Sequence, residues 1–232
     1  LTMAVCLDKE ITKRILAYEN LPLARGIRVT RLGDLSGLDW PYPLFVKPVH
    51  EGTAKGITPE NRVYTPDNLH KKVAELLRLY RQPVLVEEFL PGAEYTVGLV
   101  GNRDPRVLGI MSVAVTAPEE QGIYSLRAKE ECETLVEYKK AEIPAALEAR
   151  IVEISIQAFN ALGCRDAARL DIKLDTAGEP RILEMNPLAG MHPSHSDLPM
   201  IAAQAGLGYR GLVGTILSNA MARYNLEPRP AV

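Results

Sequence analysis

The sequence predicts an α+β fold in two lobes. Three observations lead to this class: helical periods alternate with short strand patterns, the strands come mostly as antiparallel neighbours, and a turn dipeptide near the middle of the chain separates two such sets. The dipeptide is Pro91-Gly92. The predicted lobes are therefore residues 1–95 and 96–232.

The composition indicates a folded globular protein. The 232 residues include 27 Lys or Arg and 29 Asp or Glu, so the formal net charge is −2, and 47% of the residues are hydrophobic. This balance disfavours a nucleic-acid binder, which needs a broad cationic surface. No apolar stretch reaches the roughly 18 residues of a membrane span. Three cysteines without metal-ligand spacing favour reduced thiols, so we expect a cytoplasmic protein with no nucleic-acid or membrane partner.

Two amphipathic helices are predicted in the first lobe. Apolar residues at every fourth position predict the first helix over residues 8–20, and Pro22 then stops the pattern. The second helix is predicted over residues 66–80. Asp67 is its expected N-cap, because a carboxylate oxygen can accept hydrogen bonds from the free N–H groups of a first turn.

Two buried strands and a turn complete this lobe. LFVKP (44–48) and VLVEEFL (84–90) are apolar runs of strand length, and EGTAKGI (51–57) is a small-residue turn. Lys47 interrupts the first apolar run. A buried ammonium needs an anionic partner, for which a triphosphate and an internal carboxylate are the alternatives.

The second lobe is predicted to contain two strands, a helix closed by Gly163, a hairpin and a last apolar helix. In chain order they cover residues 94–100, 107–115, 147–162, 167–186 and 212–222. The segment 118–143 has a high charge and no clean period. We expect it to be a long, mobile surface loop.

The hairpin has the most informative pattern. If its turn is centred on Ala177-Gly178, Asp171 faces Glu184 on the neighbouring strand. Arg169 likewise faces Asn186. Opposed side chains lie about 5 Å apart, so two carboxylates repel each other unless a cation lies between them. Oxygen donors without Cys or His suit Mg²⁺, whereas the alternative is a solvated hairpin face that the arginine neutralises.

The second strand of the hairpin is expected to alternate in the same way. Ile182 is predicted on the side of Glu184 and Asn186, and Leu183 on the opposite side with Met185. This assignment assumes a two-residue turn. A longer loop with a bulge would shift the pairing.

Taken together, these motifs resemble the ATP-grasp carboxylate-amine ligases, and most closely the D-alanine–D-alanine ligase family. The resemblance extends almost along the whole chain and rests on six motifs in a consistent order. They are LDKEITK, FVKPVHEGTAKGI, VLVEEFLPGAEYTV, ARLDIKLD, LEMNPLAGM and HSDLPM. The resemblance implies an ATP-grasp fold with the nucleotide between two lobes. It also implies a reaction in which ATP converts a carboxylate into an acyl phosphate, which an amine then attacks.

The resemblance implies a role for each matching residue. Expected at the nucleotide phosphates are Lys9, Lys47, Gly52, Thr53, Ala54 and Lys129. Expected at the adenine and ribose are Glu87, Glu88, Phe89, Leu90 and Glu94. The alternative for Lys129 is a solvated loop lysine, and the alternative for the small-residue turn is a plain hairpin turn.

Metal, catalytic and substrate roles follow from the same resemblance. The Mg²⁺ ligands would be Asp171, Glu184 and Asn186. Catalytic roles would belong to Arg169, Gly190, Lys129 and Thr53, the first two as donors that stabilise the tetrahedral oxyanion. The substrate would contact Arg169, Ser196 and Asp197.

Several positions depart from the family pattern. Glu130 replaces the tyrosine that usually follows the loop lysine, Thr53-Ala54 replaces a pair of serines, and Asp197 stands where an apolar residue is usual. A further N-terminal domain of the family has no counterpart in these residues. Because the changes lie around the substrate, the alternatives are an ATP- and Mg²⁺-binding module without ligase activity, or a ligase for another amino acid or peptide. A homodimer is the expected assembly.

Overall fold

The computed structural model describes residues 1–226, which form two antiparallel β-sheets covered by helices. The helices are α1 (Thr2–Leu7), α2 (Lys9–Tyr18), α3 (Pro66–Tyr80), α4 (Leu126–Glu130), α5 (Cys132–Leu135), α6 (Ala145–Ala161), α7 (Asp197–Gln204) and α8 (Tyr209–Arg223). The strands are β1 (Gly26–Val29), β2 (Leu44–Pro48), β3 (Arg62–Val63), β4 (Val84–Glu88), β5 (Glu94–Gly101), β6 (Arg106–Val115), β7 (Val136–Lys140), β8 (Asp166–Leu174) and β9 (Pro180–Asn186). The predicted α+β class is confirmed. The last six residues of the predicted second lobe, 227–232, lie outside the described residues.

The first sheet has the strand order β1-β4-β2-β3 and packs against α3. Apolar side chains of the strands and of α3 form its core, which includes Val46, Val86 and Val73. Strand β1 was not predicted, because the four residues GIRV are too short to show a period. This sheet supplies one wall of a cleft.

The second sheet has the order β7-β6-β5-β8-β9 and is covered on both faces. On one face α6 and α2 bury the largest core cluster, which contains Leu16 and Phe159. On the other face α7 lies so close to β5 that a Cβ on Gly98 would meet Leu198 Cδ1 at 3.0 Å. Among residues 1–226, no helix has the length and apolar character needed to cross a membrane.

The hairpin of β8 and β9 has the predicted register at its charged end. Asp171 pairs with Glu184 and Arg169 with Asn186, but a bulge beyond Asp171 shifts the register so that Ile172 pairs with Ile182. The extra residue is Leu183. It reverses the alternation, so the predicted sides of Ile182 and Leu183 are wrong: Ile182 lies fully buried in the core and Leu183 lines the cleft.

The prediction of a mobile surface loop over residues 118–143 is wrong. The segment contains α4, α5 and β7, and β7 pairs with β6 through Val136 and Val115. Val136 and Ala128 are buried in a small cluster with Val113. The strand was hidden in the sequence because its remaining residues are mostly charged, which is typical of a sheet edge.

Helix α3 has the predicted bounds but not the predicted N-cap. Thr65 is the N-cap, and its hydroxyl accepts a hydrogen bond from the Asn68 N–H at 3.2 Å. Asp67 lies in the first turn instead. The helix starts two residues earlier than an Asp67 cap would allow, because Pro66 is well suited to a first helical position.

This correction leads to a stability prediction. Thr65→Ala is expected to lower the free energy of unfolding by about 1 kcal/mol, because the first-turn N–H group loses its acceptor. Asp67→Ala is the matched control and should cost about 0.3 kcal/mol, since only its interaction with the helix dipole is lost. Urea unfolding of both variants measures the difference. Equal costs would contradict the assignment of the cap.

Candidate active site

A cleft that is partly open to solvent lies between the two sheets. Its walls carry most of the residues predicted for the site. Those that line it are Lys9, Lys47, Ala54, Glu87, Glu88, Phe89, Leu90, Glu94, Lys129, Asp171, Glu184 and Asp197. Apolar side chains from both sheets, including Phe45, Val113 and Leu183, line the same cleft. It can therefore accept a ligand with a flat apolar part and a charged part.

Six further predicted residues do not line the cleft. They are Gly52, Thr53, Arg169, Asn186, Gly190 and Ser196. Thr53 is exposed in the small-residue turn, and both Thr53 and Ala54 have left-handed backbone with φ of 54° and 56°. Gly190 lies against Ser196, since a Cβ on the glycine would meet Ser196 Oγ at 2.7 Å.

The opposed carboxylates of Asp171 and Glu184 are the chemical centre of the hairpin. Asp171 accepts hydrogen bonds from Arg169 Nε at 2.9 Å, from Arg169 Nη2 at 2.7 Å and from the Thr96 hydroxyl at 2.8 Å. The Asn186 amide lies 3.3 Å from Asp171 and 3.4 Å from Glu184. The four side chains that the sequence predicted to converge are thus in contact. Thr96 was not predicted, because it lies on a third strand.

The two carboxylates differ in their electrostatic surroundings. Burial, with the nearby charge of Glu184, raises the pKa of Asp171 although Arg169 opposes the shift. Burial would also raise the pKa of Glu184, but Lys9, Lys129 and Arg169 outweigh it and lower that pKa to about 2. Glu184 is therefore held ionised, whereas the negative charge on Asp171 is only partly compensated.

Arg169 joins the hairpin to α7. Besides its two bonds to Asp171, its Nη1 lies 2.8 Å from Asp197 Oδ2, and its Nη2 lies 3.9 Å from Glu184. Burial would lower the pKa of the guanidinium, but Asp171 and Asp197 raise it above its ordinary value. Asp197 is almost fully buried, so this contact compensates a charge that could not otherwise remain in the interior.

Lys9 of α2 and Lys47 of β2 line the same cleft as the two carboxylates. Lys9 lies 3.7 Å from Glu184, and its ammonium also donates to the Glu51 carbonyl. Lys47 lies 2.6 Å from Glu87, which also pairs with Lys13. The internal partner that the sequence left open for Lys47 is thus Glu87. Lys13 was missed, although its position one helical turn after Lys9 places both on one face of α2.

Residues 124–138 of the second lobe, which we call the covering segment, border the cleft through Tyr124 and Lys129. The Tyr124 and Tyr138 hydroxyls are hydrogen-bonded at 2.5 Å, and the Lys129 ammonium lies 4.7 Å from the centre of the Tyr124 ring. The Leu126 N–H donates to the Ile57 carbonyl at 3.3 Å, which joins the segment to the small-residue turn. Tyr124 lines the cleft and was not predicted as a site residue, because this segment was expected to be a mobile loop.

The polar groups near the predicted ribose position are also paired. Lys173 Nζ lies 2.8 Å from Glu94 Oε2. In residues 1–226 no three His, Cys, Asp or Glu side chains form a cluster able to hold a metal. The predicted metal ligands do not form such a cluster, because Asn186 contributes an amide to Asp171 and Glu184.

Comparison with known proteins gives consistent matches. The family model for the "D-ala D-ala ligase C-terminus" matches residues 38–218. A D-alanine–D-alanine ligase of Gluconobacter oxydans is 35% identical over 222 residues, which cover 95% of this chain and 70% of the relative. The ligase of Bordetella avium is 33% identical and covers 97% and 69% of the two chains. This chain therefore spans about two thirds of the length of these relatives.

A solved structure gives the same match in three dimensions. The D-alanine–D-alanine ligase of Bacillus anthracis, in complex with ATP, superposes with a TM-score of 0.78 at 27% identity. The superposition covers 97% of this chain and 69% of that protein. The two antiparallel sheets and the cleft between them therefore have a counterpart of known structure.

Proposed function

We infer the activity of this chain from the family to which it belongs, the D-alanine–D-alanine ligase family. We propose that it is an ATP-dependent ligase that joins a carboxylate to an amine and releases ADP and phosphate. One observation carries the proposal: two opposed carboxylates, one of them bonded to an arginine, share a single cleft with Lys9, Lys47 and Lys129. This arrangement suits a metal-bound triphosphate beside a reacting carboxylate.

The cleft supports a specific orientation of ATP. We propose that Lys9, Lys47 and Lys129 bind the phosphates beneath the small-residue turn, with backbone N–H groups of Gly52, Thr53 and Ala54 above them. The adenine would lie along residues 87–90 and the ribose at Glu94. The apolar lining of the cleft and the ATP in the similar Bacillus anthracis structure support nucleotide binding in this cleft.

The donor atoms of the hairpin fit Mg²⁺. Asp171 and Glu184 line the cleft as neighbours, the Asn186 amide is within reach of both, and oxygen-only donors are the ligands that Mg²⁺ takes. Burial raises the pKa of Asp171, and the charge of Glu184 adds to the shift, so a bound cation would favour the ionised form of both acids. We propose that these three residues hold Mg²⁺, which when bound offsets phosphate charge.

The remaining steps are assigned to the chain's own groups. Arg169 would stabilise the charge that develops on the reacting carboxyl oxygen, together with the Gly190 N–H. Lys129 and Tyr124 would cover the phosphates and keep water from the acyl phosphate. Ser196 and Asp197 would contact the acceptor. Thr53 would place its hydroxyl over the phosphates from the small-residue turn.

Two further proposals concern the organisation of the molecule. The two-lobe division at residue 95 is supported by the break between the sheets, which lies between Glu88 and Glu94. Helix α2, however, packs with the core of the second sheet through Leu16. A homodimer is the proposed assembly, by analogy with the family.

The proposed function has a direct test. The protein, expressed with its complete reading frame, is incubated with ATP, Mg²⁺ and D-alanine, and we expect ADP release together with a dipeptide in the mass spectrum. Absence of both would refute the ligase proposal. Calorimetric binding of ATP without product would instead favour a nucleotide-binding module.

The hydrogen bond between the Tyr124 and Tyr138 hydroxyls leads to a prediction. Tyr138→Phe removes the partner of the Tyr124 hydroxyl, so the covering segment is held less firmly. Loss of a buried hydrogen bond of about 1 kcal/mol corresponds to an increase of about fivefold in the KM for ATP. Steady-state kinetics measure this value. Tyr18→Phe, on the exposed surface of α2, is the control, and an equal KM in both variants would contradict the proposed role.

A further inference from the structure

Asp197 occupies the end of the cleft where the acceptor is proposed to bind. It is the first residue of α7, its side chain is 9% exposed, and it lines the cleft directly after Ser196. A carboxylate that is nearly buried must be compensated by a partner. The nearest cation is Arg169, at 2.8 Å.

Arg169 is already engaged by another carboxylate. Its Nε and Nη2 donate to the two oxygens of Asp171, so Asp197 is the second carboxylate on a single guanidinium. These three side chains together carry a net charge of −1. Lys9 lies beside Glu184, and Lys129 acts on both Glu184 and Asp171. Each of the three guanidinium nitrogens of Arg169 therefore already has a carboxylate partner at the acceptor end of the cleft.

In the described part of the chain, Arg169 is the one cation within 4 Å of the Asp197 carboxylate. Tyr124, which lines the same end of the cleft, is a neutral phenol: burial, and then the charge of Asp197, raise its pKa. His195 lies beside Glu133, with 3.7 Å between Nδ1 and Oε1. An acceptor carboxylate arriving here would compete with Asp197 for Arg169 and would be repelled by it.

We propose that Asp197 makes the enzyme select an acceptor amine whose neighbouring carboxyl group is neutralised, such as an amino-acid amide, over a free amino acid. This inference rests on the proposed ligase function and narrows its acceptor class. A neutral amide can accept a hydrogen bond near Ser196 without displacing Asp197. A free carboxylate must either break the Arg169 to Asp197 contact or remain beside Asp197 without a cation of its own.

A competition experiment tests the proposal. The protein, expressed with its complete reading frame, is given ATP, Mg²⁺, D-alanine as donor, and D-alanine and D-alaninamide as competing acceptors. Mass spectrometry separates the dipeptide from the dipeptide amide. We expect the wild type to favour D-alaninamide by about tenfold or more in kcat/KM, because juxtaposed like charges are strongly unfavourable. Asp197→Asn should reduce this ratio by about tenfold, with an unchanged KM for ATP.

Further variants separate charge from structure. Asp197→Glu keeps the charge and should keep the preference for the amide even if its total activity falls. Glu133→Gln removes an acid beside His195 that does not line the cleft, and should leave the ratio unchanged. A wild type that prefers D-alanine, or an Asp197→Asn ratio equal to that of the wild type, would overturn the inference alone. Absence of both products from the wild type would overturn the ligase function itself.

Discussion

Asp171→Asn and Glu184→Gln are each expected to reduce Mg²⁺-dependent turnover of ATP by about 100-fold or more, which is the scale on which charge-stabilising groups act in such sites. Each substitution removes one of two directly opposed carboxylates from the cleft and keeps the size of the side chain. The metal would then lose one of its ligands. The lysines alone would not position the phosphates for reaction. ADP release, measured over a range of Mg²⁺ concentrations, gives the effect.

The fold should tolerate the Asp171→Asn substitution. In Asp171→Asn, Arg169 keeps Asp197 as a partner at 2.8 Å, and the oxygen of the new side-chain amide can still accept from Thr96. Asp175→Asn is the control, because this acid directly follows the same strand but pairs with Arg181 outside the cleft. Full turnover by either site variant would remove that residue from the proposed metal site. Equal losses in the control would point to a general effect on the hairpin.

The charged end of this hairpin could be predicted because it depends on local rules. Alternation along a strand and pairing across a short turn bring Asp171 to Glu184 with no knowledge of the rest of the fold. The place of Leu183 could not be predicted in the same way. A turn that extends from Asp175 to Glu179 is compensated by a bulge, and only the core, which takes up Ile182, determines where the extra residue falls.

Contacts between distant segments could not be predicted from the sequence. The pairing of Arg169 with Asp197 joins a strand to a helix that was not predicted, since the eight residues of α7 contain a proline and are too few to show a clear period. The role of Tyr124 depends on Tyr138 and on the order of the whole 118–143 segment. Such features arise from tertiary packing, which overrides local charge and propensity.

Glu87→Gln is expected to destabilise the fold by about 3 to 5 kcal/mol at neutral pH, because it removes the acid of a buried ion pair and leaves its cations uncompensated. The Glu87 side chain is only 3% exposed and lies between Lys13 and Lys47, which are themselves 11% and 8% exposed. Urea unfolding measures the change. Glu153→Gln is the matched control: its pair with Arg150 is at the surface, so the expected cost is below about 1 kcal/mol.

Glu87→Gln should also weaken the dependence of the free energy of unfolding on pH in the acid range. Burial would raise the pKa of Glu87, but Lys13 and Lys47 outweigh burial and lower it from 4.5 to about 2. Because the folded pKa lies below the unfolded one, ionised Glu87 stabilises the fold fully above pH 4.5 and loses this contribution as the pH falls towards 2. The shift corresponds to about 3 kcal/mol, in line with the cost expected for breaking the pair. Unfolding curves across this pH range should fall less steeply for Glu87→Gln, with a remaining slope from Glu184, whose pKa is also lowered to about 2. An unchanged slope would mean that Glu87 is not ionised between its two lysines.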